Sequence, residues 1–284
     1  MILRELNTWA KDKLKELDSP AFDVSYLIEE FIDDNRNALY LHGDNEVPED
    51  KETSFRAAVE KRKTFYPLQY ILGWWYFRDM KLKVKDGVLC PRDDTEVLVM
   101  ESLRRIKEIY GNKEVKGLDL CSGTGCVPLG ITQNNNKVTM DAVELFPVPL
   151  ECLRENLDTY GEGRVTAVEG DIFSDVLLSK YAELDFITSN PPYISSEEMP
   201  TLQAEVRFEP REALTDEGDG LKFYRHIISK WKNAVKIGGF IALEIGENQT
   251  EDICRLLTEN GFTDIRVAKD LGNLDRAITA VRVN

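Results

Sequence analysis

The stretch Phe186–Ser195, FITSNPPYIS, closes an apolar run with an asparagine, two prolines and a tyrosine. Proline fixes φ at about −65° and has no N–H to donate. The residue before a proline is pushed into extended geometry. Asn190 is therefore expected at a rigid corner, and the Pro191 carbonyl has no obligatory partner. The Asn190 side-chain oxygen and that carbonyl are both acceptors. Together they can grip the two hydrogens of an NH2 group, with Tyr193 packing on the flat group that bears it. Taken alone, the same residues also suit a simple strand-ending turn.

Three further strand ends carry polar or glycine-rich residues. "LDLCSGTGC" places Asp119 at the end of one strand and Gly123 and Gly125 in the turn that follows. Glycine tolerates positive φ and close approach of a ligand. The G-x-G-x-x-G of a dinucleotide site is not present, so no pyrophosphate cradle is expected. "DAVELFP" puts Glu144 at the next strand end, where a carboxylate can accept from both ribose hydroxyls. "VEGDIF" offers Asp171 for an adenine amino group and Ile172 for the ring face. Each acid alone is equally a surface carboxylate. In this order they describe a pocket for adenosine without phosphate. S-adenosylmethionine fits that description, because carboxylates and aromatic faces favour its sulfonium cation.

The elements that must position these residues are legible as periods. Met80, Leu82 and Val84 alternate with Lys81, Lys83 and Lys85, a half-buried strand. With "WWYF" before them they suggest a hairpin. "CPRDDTEVLVMESLRRIKEIYG" reads as a helix with Asp93, Asp94 and Glu96 in its first turn. Beyond it, strands are expected at 116–120, 138–143, 164–168, 184–189 and 239–245, with helices near 125–134, 147–160, 219–236 and 248–260. Two more strands, near 263–268 and 277–282, close the chain. Alternating β and α units specify a parallel sheet covered by helices, with ligands at the carboxyl ends of its strands. Residues 1–75 lack strand signals. Leu3, Leu6, Ala10, Leu14 and Leu17 mark one amphipathic helix, Ser19–Pro20 opens a second, and a third is expected from Pro48 to about Tyr66.

Composition excludes several classes. The chain carries 51 acidic against 36 basic residues, a net charge of −15, and so has no general attraction for nucleic acid backbones. Such a surface can instead attract a basic partner. Two histidines and five scattered cysteines without a C-x-x-C pair offer neither a His-based triad nor a metal cage, and no metal is expected. No apolar run reaches the ~20 residues needed to span a bilayer. The charged start, MILRELNTWAKDKLKEL, is not a signal peptide. A soluble, cytoplasmic enzyme is the expectation.

The chain resembles the protein-(glutamine-N5) methyltransferases that modify peptide chain release factors. The likeness rests on PLQYILG at Pro67–Gly73, LCPRDDTE at Leu89–Glu96, DLCSGTG at Asp119–Gly125 and NPPYI at Asn190–Ile194. It continues in EPREALTDEGDGLKFY at Glu209–Tyr224 and KDLGNLDRAI at Lys269–Ile278. NPPY alone is shared with enzymes that methylate adenine in DNA or RNA, which remain the main alternative. A methyltransferase acting on a ribosomal-protein glutamine and a non-catalytic adaptor of the same fold are the others. The resemblance implies an α/β, Rossmann-like S-adenosylmethionine-dependent methyltransferase with a small N-terminal helical domain. It implies a helical bundle for substrate recognition at 1–75, a β-hairpin linker at 76–90 and a methyltransferase domain at 91–284. Asp119, Cys121, Ser122, Gly123, Thr124 and Gly125 would hold the cofactor with Glu144, Asp171, Ile172 and Asn190. Asn190, Pro191 and Tyr193 would be catalytic, and Asn190 to Tyr193, Pro192 included, would grip the substrate. The substrate implied is the glutamine of a Gly-Gly-Gln loop in class I release factors, met by a monomer without nucleic acid or membrane. S-adenosylhomocysteine would be the product. Two positions depart from the family pattern: Cys121, where glycine is common, and Tyr76, where an acid is common.

Overall fold

The computed structural model describes residues 1–33, 35 and 37–283. Two compact units emerge, one of Met1–Trp74 with Gln203–Phe208, the other of Trp75–Leu202 with Glu209–Asn284.

The first unit is helical: α1 (Leu3–Lys13), α2 (Pro20–Phe31), α3 (Ala38–His42), α4 (Glu49–Arg62) and α5 (Leu68–Leu72). Leu3, Leu6, Ala10 and Leu14 bury the face that their spacing marks; α1 packs on α2 and α4, whose Val24, Leu27, Ile28, Phe55 and Val59 are buried as well. Pro20 opens α2 as expected, but Ser19 makes no side-chain cap. The helix foreseen to about Tyr66 stops at Arg62. The Arg62 side chain turns inward to Asp23 at 2.8 Å and also binds Glu205. Burial raises the Asp23 carboxyl above its usual range, and Arg62 pulls it back. The short helices α3 and α5 escape a periodicity reading because five residues hold barely more than one turn.

From the last residue of the first stretch, Trp74, the chain enters a two-stranded hairpin, β1 (Trp74–Phe77) and β2 (Met80–Lys83). There follow α6 (Thr95–Tyr110), β3 (Val115–Leu120), α7 (Cys126–Asn134), β4 (Val138–Glu144), α8 (Pro147–Tyr160), β5 (Val165–Glu169), α9 (Asp175–Leu178) and β6 (Leu184–Ser189). After two short 3-10 turns come α10 (Arg211–Leu214), α11 (Lys222–Lys230), β7 (Val235–Glu244), α12 (Thr250–Glu259), β8 (Phe262–Lys269) and β9 (Asp275–Arg282). Among the described residues seven strands form one sheet in the order β5-β4-β3-β6-β7-β9-β8. β3 pairs in parallel with both β4 and β6, so the strand order reverses between β3 and β6. Ligands of such sheets bind at that crevice, beyond the strand ends.

Both faces of the central strands β3, β4, β6 and β7 are largely buried, as a parallel sheet requires. Along β7, Phe240 and Ala242 enter one core and Ile241 and Leu243 the other. Phe186 stacks on Phe240 with ring centroids 5.1 Å apart. A side chain at Gly117 would meet the Phe186 ring at 2.3 Å, so glycine there makes room for the stack.

Three expectations are corrected. The sheet is not wholly parallel, because β9 runs antiparallel to β7 and β8. Residues 270–274 form a short turn with no crossover helix, and a short turn can join only antiparallel strands. The helix foreseen over 219–236 starts at Lys222 and ends in a 3-10 turn at Trp231–Ala234. The Asp216 carboxylate takes the backbone N–H of Gly218, Gly220 and Lys222, and Gly220 sits at φ +76°, so the chain before Lys222 is a capped loop. At α6, Asp93 and Asp94 precede the helix, and Glu96 is the acid of its first turn.

Candidate functional site

A cavity of about 410 Å³ opens at the β3/β6 crevice, within the range of small-molecule sites. Asp119, Cys121, Ser122, Gly123, Thr124, Glu144, Asp171, Ile172, Asn190 and Pro192 line it. Gly125, Pro191 and Tyr193 stand outside that lining.

The turn after β3 is set by backbone geometry. Cys121, Gly123 and Gly125 have φ of 62°, 54° and 80°. Cys121 thus occupies the left-handed region that glycine favours, which is a physical reason for glycine being common there in the family it resembles. A side chain at Gly123 would meet nothing within 4 Å, so that wall is open to a ligand. A side chain at Gly125 would strike Leu153 Cδ1 at 2.5 Å. Gly125 therefore lets α7 approach α8.

Glu144 accepts from the Gly123 N–H at 2.9 Å and from the Leu145 and Phe146 N–H groups at 2.8 and 3.0 Å. These bonds lock its carboxylate at the cavity wall. Asp171 accepts from the Phe173 N–H at 2.8 Å, a tight local turn. The Ile172 carbonyl is held twice, by Trp231 Nε1–H at 2.9 Å and His226 Nε2 at 2.8 Å. Trp231 and His226 thereby fix the loop that would face an adenine. Asp119 is buried, and Thr188 Oγ1 donates to it at 2.5 Å. Burial lifts its carboxyl to about 7, against the pull of Thr188 and Ser122 and with a further push from Glu144.

The corner after β6 is braced on several sides. Ser189 Oγ donates to the Leu120 carbonyl at 2.7 Å, and the Ile194 N–H to Leu214 O at 2.9 Å. Gln249 Nε2 donates to the Tyr193 carbonyl at 2.9 Å and to the Gly220 carbonyl at 3.2 Å. A side chain at Gly220 would meet the Tyr193 carbonyl at 2.3 Å. The Tyr193 hydroxyl donates to Glu244 Oε1 at 3.3 Å. Asn190 Nδ2 lies 3.4 Å from Thr95 Oγ1.

Residues not singled out from the sequence complete the wall. Arg92 lines the cavity and is paired with the buried Glu209, which also accepts from the Cys90 N–H at 3.0 Å. Thr95, Asp216, Lys222 and the rings of Phe146 and Phe223 line it as well. The signal was at hand for most of them, since Arg92 and Thr95 fall in LCPRDDTE and Glu209 and Asp216 in EPREALTDEGDGLKFY. What the sequence withheld was which motif residues would meet.

The open glycine turn, the locked Glu144 carboxylate and an acidic, aromatic cavity fit an adenosine-bearing cation. Fold and site together define a Rossmann-like, S-adenosylmethionine-dependent methyltransferase. The family description "Methyltransferase small domain" matches residues 86–222, and "PrmC N-terminal domain" matches residues 5–73. The chain is 34% identical over 287 residues to a release factor glutamine methyltransferase of Clostridium botulinum, covering 99% of both chains. It is 34% identical over 264 residues to one of Fusobacterium nucleatum, covering 92% of this chain and 73% of that one. A solved methyltransferase from Pyrococcus furiosus shares the fold, with a TM-score of 0.53 and 16% identity over 73% of this chain and 91% of that one. The chain belongs to the release factor glutamine methyltransferase family. Among its described residues no helix is long and apolar enough to cross a membrane.

Proposed function

We propose that this enzyme methylates the side-chain amide nitrogen of the glutamine in the Gly-Gly-Gln loop of a class I peptide chain release factor. The observation that carries the reading is the braced Asn190–Pro191 corner beside a cavity shaped for adenosine, in a chain of this family. S-adenosylmethionine, when bound, supplies an electrophilic methyl group and leaves as S-adenosylhomocysteine. Cys121 to Thr124 and Glu144 would hold its amino-acid and ribose parts, and Asp171 and Ile172 its adenine.

A primary amide nitrogen is a poor nucleophile, because its lone pair is conjugated with the carbonyl. Asn190 Oδ1 and the Pro191 carbonyl accept the two N–H groups and turn the nitrogen toward the methyl donor. Among the described residues no hydrogen bond engages that carbonyl, which suits it to the task. Orientation of this kind can supply ~7–11 kcal/mol. As positive charge grows on nitrogen, both acceptors bind it more tightly than in the ground state. Held in this way, the nitrogen would take the methyl group that the cofactor supplies, and one of its two N–H protons would pass to solvent. A glutamate side chain has no hydrogens for these acceptors and leaves Asn190 unpaired. Tyr193 would support the corner from behind, through Glu244.

The helical unit would contribute to recognition of the release factor. The net charge of −15 suits a basic partner loop and disfavours nucleic acid. The enzyme is proposed to act as a cytoplasmic monomer. Transfer of labelled methyl to a purified release factor tests the reading. Label on the native factor, and none when its loop glutamine is changed to alanine, is the expected result. Label that survives the change, or falls on nucleic acid instead, would overturn it.

A further inference from the structure

The corner poses a question of polarity. Asn190 meets the Thr95 hydroxyl at 3.4 Å. A hydroxyl both donates and accepts, so this contact alone allows either end of the Asn190 amide to face Thr95. The two orientations differ for the substrate. Only the one that turns Oδ1 to the cavity can accept a hydrogen from an NH2 group.

Behind Thr95 lies Glu244, the last residue of β7, which is 2% exposed. Its Oε1 accepts from the Tyr193 hydroxyl, while Oε2 has no hydrogen-bond partner. The Thr95 hydroxyl lies close enough to favour the ionised form of this carboxyl, although among the described residues no full hydrogen bond joins the two. An ionised carboxyl can only accept. It draws the Thr95 hydrogen toward itself and leaves the Thr95 lone pairs for Asn190. Asn190 must then present its NH2 to Thr95 and its Oδ1 to the cavity. We propose that Glu244 is a positioning residue that sets, through Thr95, the polarity of the Asn190 amide and so selects a substrate NH2 over a carboxylate. The inference rests on the glutamine reading above.

The titratable and charged groups that act on Glu244 come from several elements. They are Arg276 of β9, Asp94 ahead of α6, Tyr193 at the corner, Tyr224 of α11 and Cys126 at the start of α7. Arg276 is itself held by Asp270 at 2.9 Å and Asp94 at 3.6 Å. The motifs around Thr95, Asn190 and Arg276 thus converge on one buried acid. Burial lifts Glu244 to about 7, opposed by Thr95, Arg276 and Tyr193. Its ionisation, and the amide polarity with it, is gained as pH rises through neutrality.

Glu244→Gln keeps the size of the side chain but adds an NH2 that can donate to Thr95. Thr95 can then donate to Asn190 Oδ1, and the amide turns over. Methyl transfer at saturating substrates should fall roughly 10–100-fold, with S-adenosylmethionine affinity within about threefold of the parent. The acid limb of kcat should vanish. A release factor whose loop glutamine is changed to glutamate should inhibit the variant at least ~10-fold more strongly than the parent, because the turned amide offers a carboxylate a donor. Thr95→Val should lose activity similarly, and Thr95→Ser should restore it. Turnover of Glu244→Gln within about threefold of the parent would overturn the inference. So would a loss with unchanged glutamine/glutamate discrimination, the result a merely structural defect gives. Should Glu244→Gln fail to fold, equal rates for Thr95→Val and Thr95→Ser would overturn it. If the parent enzyme leaves the loop glutamine unlabelled, the functional reading falls and this one with it. Failure confined to the variants touches this inference alone.

Discussion

In the proposed reaction, Asn190 is the side chain on which most of the chemistry converges. It is half-buried, and among the described residues its side chain makes a single long hydrogen bond, to Thr95, so its removal disturbs little packing. Asn190→Ala should lower kcat by ~10²–10³-fold, as loss of one charge-stabilising group does, while the melting temperature shifts by no more than ~2 °C. A turnover assay beside a thermal melt checks both. Cys121 offers the reverse case, a strained residue whose replacement helps. Its φ of 62° costs about 1–2 kcal/mol in a residue with a Cβ. Part of that is offset by the extra freedom of glycine in the unfolded chain. Cys121→Gly should therefore gain about 0.5–1 kcal/mol of stability by denaturant titration and leave cofactor affinity within about threefold. Asp119, lifted to about 7 by burial, ionises more fully as pH rises. The ratio of affinities for S-adenosylmethionine over S-adenosylhomocysteine should then grow between pH 6 and 8, because only the former carries the sulfonium charge. Calorimetry with both ligands at the two pH values decides this.

Much of the element scale was legible before any coordinates. The strand 184–189 and the helix 147–160 fall where hydrophobic period and flanking prolines put them. That the polar strand ends would face a ligand at the carboxyl edge of the sheet follows from α/β alternation. The direction of β9 did not, because a strand's own pattern carries no record of which neighbour it will join. Nor did the start of α11, since the Asp216 cap depends on three backbone N–H groups that come together only in the folded loop. The meeting of Thr95 with Asn190 and of Arg92 with Glu209 was equally hidden, since each pair spans more than 90 residues of chain. Glycines at closely packed points give the sharpest tests here. Gly220→Ala would drive a methyl into the Tyr193 carbonyl. It should depress turnover by shifting the corner while the fold remains cooperative in a thermal melt. Gly117→Ala, set against the Phe186 ring in the sheet interior, should instead cost about 1–3 kcal/mol of stability.

At the scale of the whole molecule two buried acids shape the response to pH. Asp119 and Glu244 both have folded-state values raised to about 7, above those of the unfolded chain. The folded protein then holds more protons than the unfolded one between about pH 4 and 7, and stability falls as pH rises through that window. The slope is at most about 1.4 kcal/mol per pH unit for each group. The ligand-free protein should accordingly unfold at higher denaturant concentration at pH 5.5 than at pH 8, and Glu244→Gln should flatten part of that difference. The charge of −15 acts at longer range. If it steers a basic partner, kcat/KM for the release factor should drop several-fold between 50 and 300 mM salt with kcat little changed.

The polypeptide passes between its two units three times, after Trp74, after Leu202 and after Phe208. The helical unit is therefore not a detachable head. It owns six residues encoded more than a hundred positions downstream, and its buried Arg62 draws one of its two carboxylate partners, Glu205, from that distant piece. A cut at residue 74 divides the gene but not the structure. Exchange of the N-terminal unit between relatives would have to carry both pieces together, so that changes in the two segments are inherited as a pair and a recombinant that swaps only the first inherits an arginine without its full complement of acids.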